Sequence, residues 1–415
     1  MKYVLLIGDG MADYPIPERG NKTALQLAST PNLDHIAAAG TCGLVQTIPA
    51  GMTAGSDIAT LSILGYDPAR YHTGRGPLEA MALRIPLEAG DIAFRCNLIT
   101  ERNGILADFS GGHVTTEEAR GLIAALNAAL RGKWLDEGWE FTFYAGVSYR
   151  NIFVLESKPN DFAFQEEKEI GCAPPHDIVG ERIEAYLPKE AILRAVMLAS
   201  KDVLENHEVN VKRAARGEKK ANMVWLWSGG EKPQMPSFSA LYGVQRGSVI
   251  SGVDLIKGIG RCAGLDAIDV PGATGYLDTN YTGKAEYALR SLADNDFVLV
   301  HVEAPDEAGH LGDIDLKVNA IEEFDELVVG TVLSGLNENY AETEGYRILV
   351  MPDHYTPVSV GTHTREPVPF AIYDSLDPQE QKKEGRFDEQ SAQKRAEKVL
   401  DARSQELMRL FFRLK

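Results

Sequence analysis

Three short runs of mostly apolar residues, each closed by an acidic residue, mark the chain: Tyr3 to Ile7 before Asp9, Phe297 to Val302 before Asp306, and Tyr346 to Met351 before Asp353. Runs of this length without polar alternation suit parallel strands buried on both faces. Elsewhere the apolar spacing is helical. Pro31 to Ala39 reads as a short helix, and Ser56 to Leu61 opens another. Glu117 to Leu130 sets Ala119, Leu122, Ile123, Leu126 and Leu130 on one face. Ala191 to Glu205 and Lys317 to Leu333 behave similarly, the second with Val318, Ile321, Val328 and Val332 as its stripe. Further short strands are predicted at Met223 to Trp227, Gly247 to Ser251 and Ala267 to Val270. Strands alternating with helices give an α/β fold with a mostly parallel sheet.

The stretch from about 85 to 185 differs in texture. Phe94 to Thr100, Ile105 to Phe109, Phe141 to Tyr144 and Asn151 to Leu155 are strand candidates around the Glu117 helix. This pattern predicts a smaller α+β domain over 85–185, inserted into a core made of 1–84 and 186–415. Asn206 to Asn222 is rich in Lys and Arg and poor in apolar residues, which predicts a solvated loop. The charged tail from Asp377 to Arg403 ends in Leu407, Leu410, Phe411 and Leu414 at helical spacing, a docking helix.

Charge narrows the function classes. The 415 residues carry 42 Lys and Arg against 60 Asp and Glu, a formal charge of −18. A phosphate backbone or anionic membrane surface requires a basic footprint, so neither is an expected partner. A small anionic substrate remains compatible where metal ions or a few Arg and Lys neutralise the site. The 4 cysteines (Cys42, Cys96, Cys172, Cys262) form no CxxC pair. That argues against a disulfide framework or zinc ribbon and fits a reducing cytoplasm. The N-terminal apolar run is too short for a signal segment, and no stretch approaches the ~18 apolar residues of a membrane span. A cytoplasmic location is expected.

Ligands bind outside the carboxyl ends of strands in open α/β sheets. Asp9, Asp306 and Asp353 therefore converge on one candidate site, although each alone also reads as a turn or cap residue. Histidines sharpen the pattern. Asp306 and His310 stand one helical turn apart, His354 adjoins Asp353, and His363 follows nine residues later. Carboxylate oxygen and imidazole nitrogen together suit zinc or manganese. His301, inside a strand, reads as a core residue; His35, His72, His176 and His207 show no partner pattern. In Gly51 to Asp57, Ser56 opens a helix, where it serves either as a plain N-cap or as a metal-activated nucleophile.

Val4 to Gly10, Gly55-Ser56-Asp57, Ala304 to His310, Pro352-Asp353-His354 and Thr362-His363-Thr364 resemble the binuclear-metal motifs of the alkaline phosphatase superfamily. Gly65 to Pro68, Thr73 to Ala80 and Ala93 to Asn97 are similar to one branch of it, the archaeal-type cofactor-independent phosphoglycerate mutases. The likeness runs from residue 1 to about 375. It implies an alkaline phosphatase-like core with Asp306, His310 and His363 on one divalent ion and Asp9, Ser56, Asp353 and His354 on the other. Manganese is the first expectation, with zinc or cobalt as alternatives. Ser56 would be the nucleophile, passing the phosphoryl group of 3-phosphoglycerate through phosphoserine to 2-phosphoglycerate without 2,3-bisphosphoglycerate. The inserted domain would close over the site, and His113, Arg150 and Lys284 would contact substrate. Ser110 to Glu118 is closer to a bacterial subgroup associated with homoserine, which makes a homoserine phosphotransferase the alternative. A metal-dependent phosphohydrolase, distinguished by phosphate release, and a non-enzymatic metal-binding protein are further readings. None of the seven metal-site positions is missing, which weighs against the last.

Overall fold

Strands appear in the order β1 (Lys2–Gly8), β2 (Thr41–Gln46), β3 (Ile92–Arg102), β4 (Ile105–Asp108), β5 (Glu140–Val147), β6 (Arg150–Ser157) and β7 (Met223–Glu231). There follow β8 (Gly247–Ile250), β9 (Asp266–Ile268), β10 (Phe297–Val302), β11 (Tyr346–Met351), β12 (Val368–Asp374) and β13 (Val399–Asp401). The computed structural model describes residues 1–158, 173–377 and 385–414. Cys172 and part of the charged tail lie outside them. The chain divides into two units, Met1–His72 with Gln234–Lys415, and Thr73–Pro233.

In the first unit an eight-stranded sheet runs β13-β2-β12-β11-β1-β10-β8-β9. It is parallel except where β12 pairs with β11 and β2. The three apolar runs form its centre. Leu6 pairs in register with Val300 on one side and Val350 on the other. Val4, Leu6, Val298, Val300, Ile348 and Val350 join one buried cluster with Leu33, Ile36, Ala285, Ile321, Val328 and Val332. Leu5, Ile7, Leu299 and Leu349, at the alternate positions, are equally buried. Burial on both faces is why these runs lack alternation, and each such side chain contributes about 1.5–3 kcal/mol.

The long helix expected over Lys317 to Leu333 begins earlier and is interrupted. It comprises Ile314–Glu323, a π-helical segment Phe324–Gly330, and Thr331–Tyr340. The π segment carries buried Asp325 to the start of helix Pro31–Ala39, where its carboxylate accepts from the N–H groups of Asn32 (3.2 Å) and Leu33 (2.7 Å). Thr30 makes no side-chain cap there, so the cap comes from another element.

The second unit holds an antiparallel sheet, β4-β3-β6-β5 with β7 also on β3. Helices Thr116–Leu130 and Ala191–Leu204 bury Leu122, Leu126, Val196 and Met197 in the same cluster as Phe94, Phe153 and Trp225. This unit runs from Thr73 to Pro233 and so differs from the expected 85–185 insert. The reason is β7: its pairing with β3 from Met223 to Glu231 draws the intervening helices into the unit. The expected solvated loop at Asn206 to Asn222 is corrected as well. It contains helix Glu208–Ala215, and Arg213 is buried against the carbonyls of Gly111, Gly112 and Lys219 and the carboxylate of Glu118.

Candidate metal centre

Four adjacent strands deliver their carboxyl ends to one place. Ser251 follows β8; His301 ends in β10 with Glu303 and Asp306 just beyond; Asp9 follows β1; Asp353 and His354 follow β11. Gly10 allows the chain to turn there. It adopts φ +62°, and a Cβ would strike Asp306 Oδ1 and Thr356 Oγ1. Its N–H donates to Asp353 Oδ1 at 3.1 Å.

Asp306 and His310 lie on helix Ala304–His310, and His363 reaches them from the segment before β12. His310 Nδ1 faces the carbonyl of Gly361 (3.0 Å) and His363 Nδ1 that of Ala54 (3.3 Å). With each Nδ1–H so engaged, both Nε2 lone pairs point inward, 2.9 Å apart. They also face Asp306, at 3.1 Å from His310 and 3.4 Å from His363. Two facing lone pairs beside a carboxylate require a cation between them, a proton or a metal ion. In the metal-free chain the proton serves. The hydrogen bond to Asp306 lifts His310 to about 9, and it lifts His363 against the opposing effect of burial.

The second group is drier. Asp9, Asp353 and His354 are fully buried. His354 Nε2 lies 3.4 Å from both Asp9 Oδ1 and Asp353 Oδ2. Neither of those oxygens has a hydrogen-bond partner. Orphaned buried carboxylate oxygens converging on an imidazole nitrogen fit a divalent cation. Burial pushes Asp9 well above the ordinary carboxylate range, and the charges of Asp353 and Glu303 add to it. Ser56 is the first residue of helix Ser56–Ile63. Its Oγ donates to Asp9 Oδ2 at 3.1 Å and sits 3.2 Å from His354 Nε2.

All seven positions expected to ligate metal thus come together within the first unit. Lys284 sits elsewhere than expected. It is fully buried on helix Tyr281–Ser291, and its Nζ donates to the carbonyl of His301 at 3.2 Å, behind the ligand cluster and not at a solvent-facing substrate surface. Burial lowers it to about 8. The sequence reading missed His301 and Glu303. His301 Nε2 is 3.1 Å from Asp9 Oδ2, and burial holds its ring down at about 4, neutral at physiological pH. Glu303 is pushed up to about 8 by burial, with the charges of Asp306 and Asp353 adding. His301 lies near the end of β10 and Glu303 caps the helix that carries Asp306, so an acid and a histidine flanking the strand end were the available signal.

The second unit carries His113 and Arg150, both exposed. His113 stands in a left-handed conformation (φ +52°) after Gly111 and Gly112. The charges of Arg75 and Arg150 both bear on Arg95, which burial holds below its ordinary value. Arg95 is held by both oxygens of Glu79 (2.8 and 3.1 Å) and lies 4.4 Å from the centroid of Trp227. Arg75, Arg95 and Arg150 all act on His176, which burial lowers. Three guanidinium groups near one histidine form a concentration of positive charge in an acidic chain, and the sequence reading named only Arg150 among them.

A family model described as 2,3-bisphosphoglycerate-independent phosphoglycerate mutase matches residues 37–210. A protein of that name from Methanosarcina acetivorans is 51% identical over 91% of this chain and 92% of its own. A probable one from Geobacter sulfurreducens is 45% identical over 94% of this chain and 95% of its own. Among solved structures, a cofactor-independent phosphoglycerate mutase from Thermoplasma acidophilum superimposes with a TM-score of 0.65 at 27% identity, covering 99% of this chain and 100% of that one. A protein from Pyrococcus horikoshii gives 0.79 at 28%, covering 99% and 97%. The chain belongs to the family of 2,3-bisphosphoglycerate-independent phosphoglycerate mutases.

Proposed function

We propose that this chain interconverts 3-phosphoglycerate and 2-phosphoglycerate through a phosphoserine at Ser56, with no 2,3-bisphosphoglycerate. The placement of Ser56 Oγ between Asp9 Oδ2 and His354 Nε2 carries the reading. Asp306, His310 and His363 would hold one divalent ion, and Asp9, Ser56, Asp353 and His354 the other. Manganese, zinc and cobalt all suit these donors. Such a pair, when bound, neutralises the phosphoryl oxygens and lowers the pKa of the serine hydroxyl.

Ser56 Oγ attacks phosphorus as the bond to the substrate's 3-oxygen breaks, leaving phosphoserine and glycerate. The proton that Ser56 gives up, within reach of Asp9 Oδ2 at 3.1 Å, is returned to the departing 3-oxygen, so glycerate is left with its 3-hydroxyl. The 2-hydroxyl of glycerate then attacks phosphoserine, returning Ser56 to its hydroxyl form. Two displacements of this kind depend on positioning and charge neutralisation more than on covalent assistance. Arg150, an exposed guanidinium suited to carboxylate and phosphate, and His113 are the substrate contacts of this reading. Lys284 acts from behind the ligands, through the carbonyl of His301.

The test supplies Mn²⁺-loaded protein with 3-phosphoglycerate alone and follows 2-phosphoglycerate and free phosphate together. Formation of 2-phosphoglycerate with little phosphate is expected. Phosphate alone would mean a hydrolase, and no change in either would turn attention to homoserine as acceptor. Ser56→Ala should lose turnover and phosphoenzyme by several orders of magnitude while keeping its circular dichroism. Normal turnover in that variant would end the nucleophile assignment.

A further inference from the structure

The first unit has a second concave region, at the other end of its sheet. β2 and β11 run parallel to β1, so Thr41 and Arg347 stand at the amino ends of these strands, away from the ligand cluster at the carboxyl ends. A cavity of about 560 Å³ lies there beside β13, the edge strand. Phe370, Leu400 and Leu410 give it an apolar wall, and Lys394, Arg395 and Lys398 bring charge. A cavity of about 630 Å³ shares Thr41, Lys398, Leu400 and Leu410 with the first and adds Arg409. Both volumes fall in the range of small-molecule sites, about 300–1,000 Å³.

The charge at this place runs against the −18 of the whole chain. Lys394 and Arg409 are exposed, and among the described residues neither side chain has a hydrogen bond or ion pair. Arg395 donates from Nη1 to the carbonyl of Ala37 (2.7 Å) and from Nη2 to that of Gly40 (2.9 Å). Those neutral partners fix its guanidinium and leave the charge uncompensated. Lys398 meets Glu406 at 2.9 Å, an exposed pair of the weak kind that an incoming anion displaces. Arg347 and Arg413, also at the second cavity, are committed to Asp374 at 3.1 and 2.8 Å. Glu397 is the acid set against the free cations.

We propose that the two cavities form one site for a nucleoside phosphate. The apolar wall of Phe370, Leu400 and Leu410 takes the base, on which the fixed plane of Arg395 stacks, and Lys394, Lys398 and Arg409 take the phosphate oxygens. Inorganic phosphate alone would leave the apolar wall uncovered, and a singly charged apolar ligand would leave cations of both cavities unmatched. The site lies apart from the metal centre, and it stands or falls independently of the reaction proposed at Ser56.

Equilibrium dialysis of the metal-loaded protein against labelled adenosine diphosphate tests it, with a parallel series in excess 3-phosphoglycerate. Saturable binding is expected, unmoved by 3-phosphoglycerate. Lys394→Glu combined with Arg409→Glu, both at exposed positions, should weaken it about a hundredfold. Absence of saturable binding, displacement by 3-phosphoglycerate, or binding that survives the charge reversal would overturn the proposal. Tripolyphosphate binding as tightly as the nucleotide would overturn the role of the apolar wall, and with it the nucleoside. Wild-type crystals soaked in adenosine diphosphate give a second reading that needs no variant. Nucleotide between Lys394 and Arg409 is expected, and nucleotide elsewhere or nowhere would overturn the site.

Discussion

Glu303 holds a proton at neutral pH in the metal-free protein, and this has a measurable consequence. Its carboxyl is raised from an ordinary value of 4.5 to about 8, so the folded chain binds that proton more tightly than the unfolded chain. Stability therefore falls as pH rises from about 4.5 to about 8, because ionising the buried group costs more in the folded state. A divalent cation removes that cost. The rise in melting temperature on adding Mn²⁺ should be larger at pH 8 than at pH 6, and an equal rise would show that this carboxyl does not face the ions. At this scale the sequence was informative wherever an apolar run ended in an acid, as at Asp9 and Asp353. It was silent at His301, because one histidine inside a buried strand looks the same whether its free nitrogen meets a hydroxyl or a carboxylate.

Lys317 shows how elements are fastened together. Its ammonium, fully buried on helix Ile314–Glu323, donates to the carbonyls of Ala12 (3.1 Å) and Thr356 (2.8 Å) and to Asp13 Oδ2 (2.9 Å). The segment after β1 and the segment after β11, which carry Asp9 and His354, are thereby tied to one side chain. Lys317→Met should cost about 3–5 kcal/mol by stranding Asp13. Denaturant titration measures the loss, and Mn²⁺ affinity should weaken alongside it. A stable variant with unaltered metal binding would show that the tie is dispensable. The helices around this lysine were readable from their apolar stripes. β12 was not, because Pro369 stands inside it where a sheet strand normally excludes proline. β13, at three residues, is too short to leave a pattern.

The whole chain divides in a way that local pattern could not disclose. Trp225 and Trp227 lie in β7, whose pairing with β3 spans more than a hundred residues, so no window of sequence contains both partners. That is why the border falls at Thr73 and Pro233 and not near 85 and 185. The division supplies its own spectroscopic test. All 4 tryptophans (Trp134, Trp139, Trp225, Trp227) belong to the second unit, whereas every candidate metal ligand belongs to the first. Chelation should lower the calorimetric unfolding temperature of the first unit and leave the melting followed by tryptophan fluorescence nearly unmoved. Equal shifts in both signals would mean that the units unfold together.

The bond from the N–H of Gly10 to Asp353 Oδ1 joins residues 343 positions apart. β1 is made long before either of its neighbours in the sheet, β10 and β11, which begin at Phe297 and Tyr346. At ~5–20 residues per second, Asp9 waits roughly 20–70 s for the residues that complete its surroundings. A nascent chain stalled before His354 owns only fragments of the centre. Metal capture is therefore a late event for this polypeptide, complete only once His363 has been made.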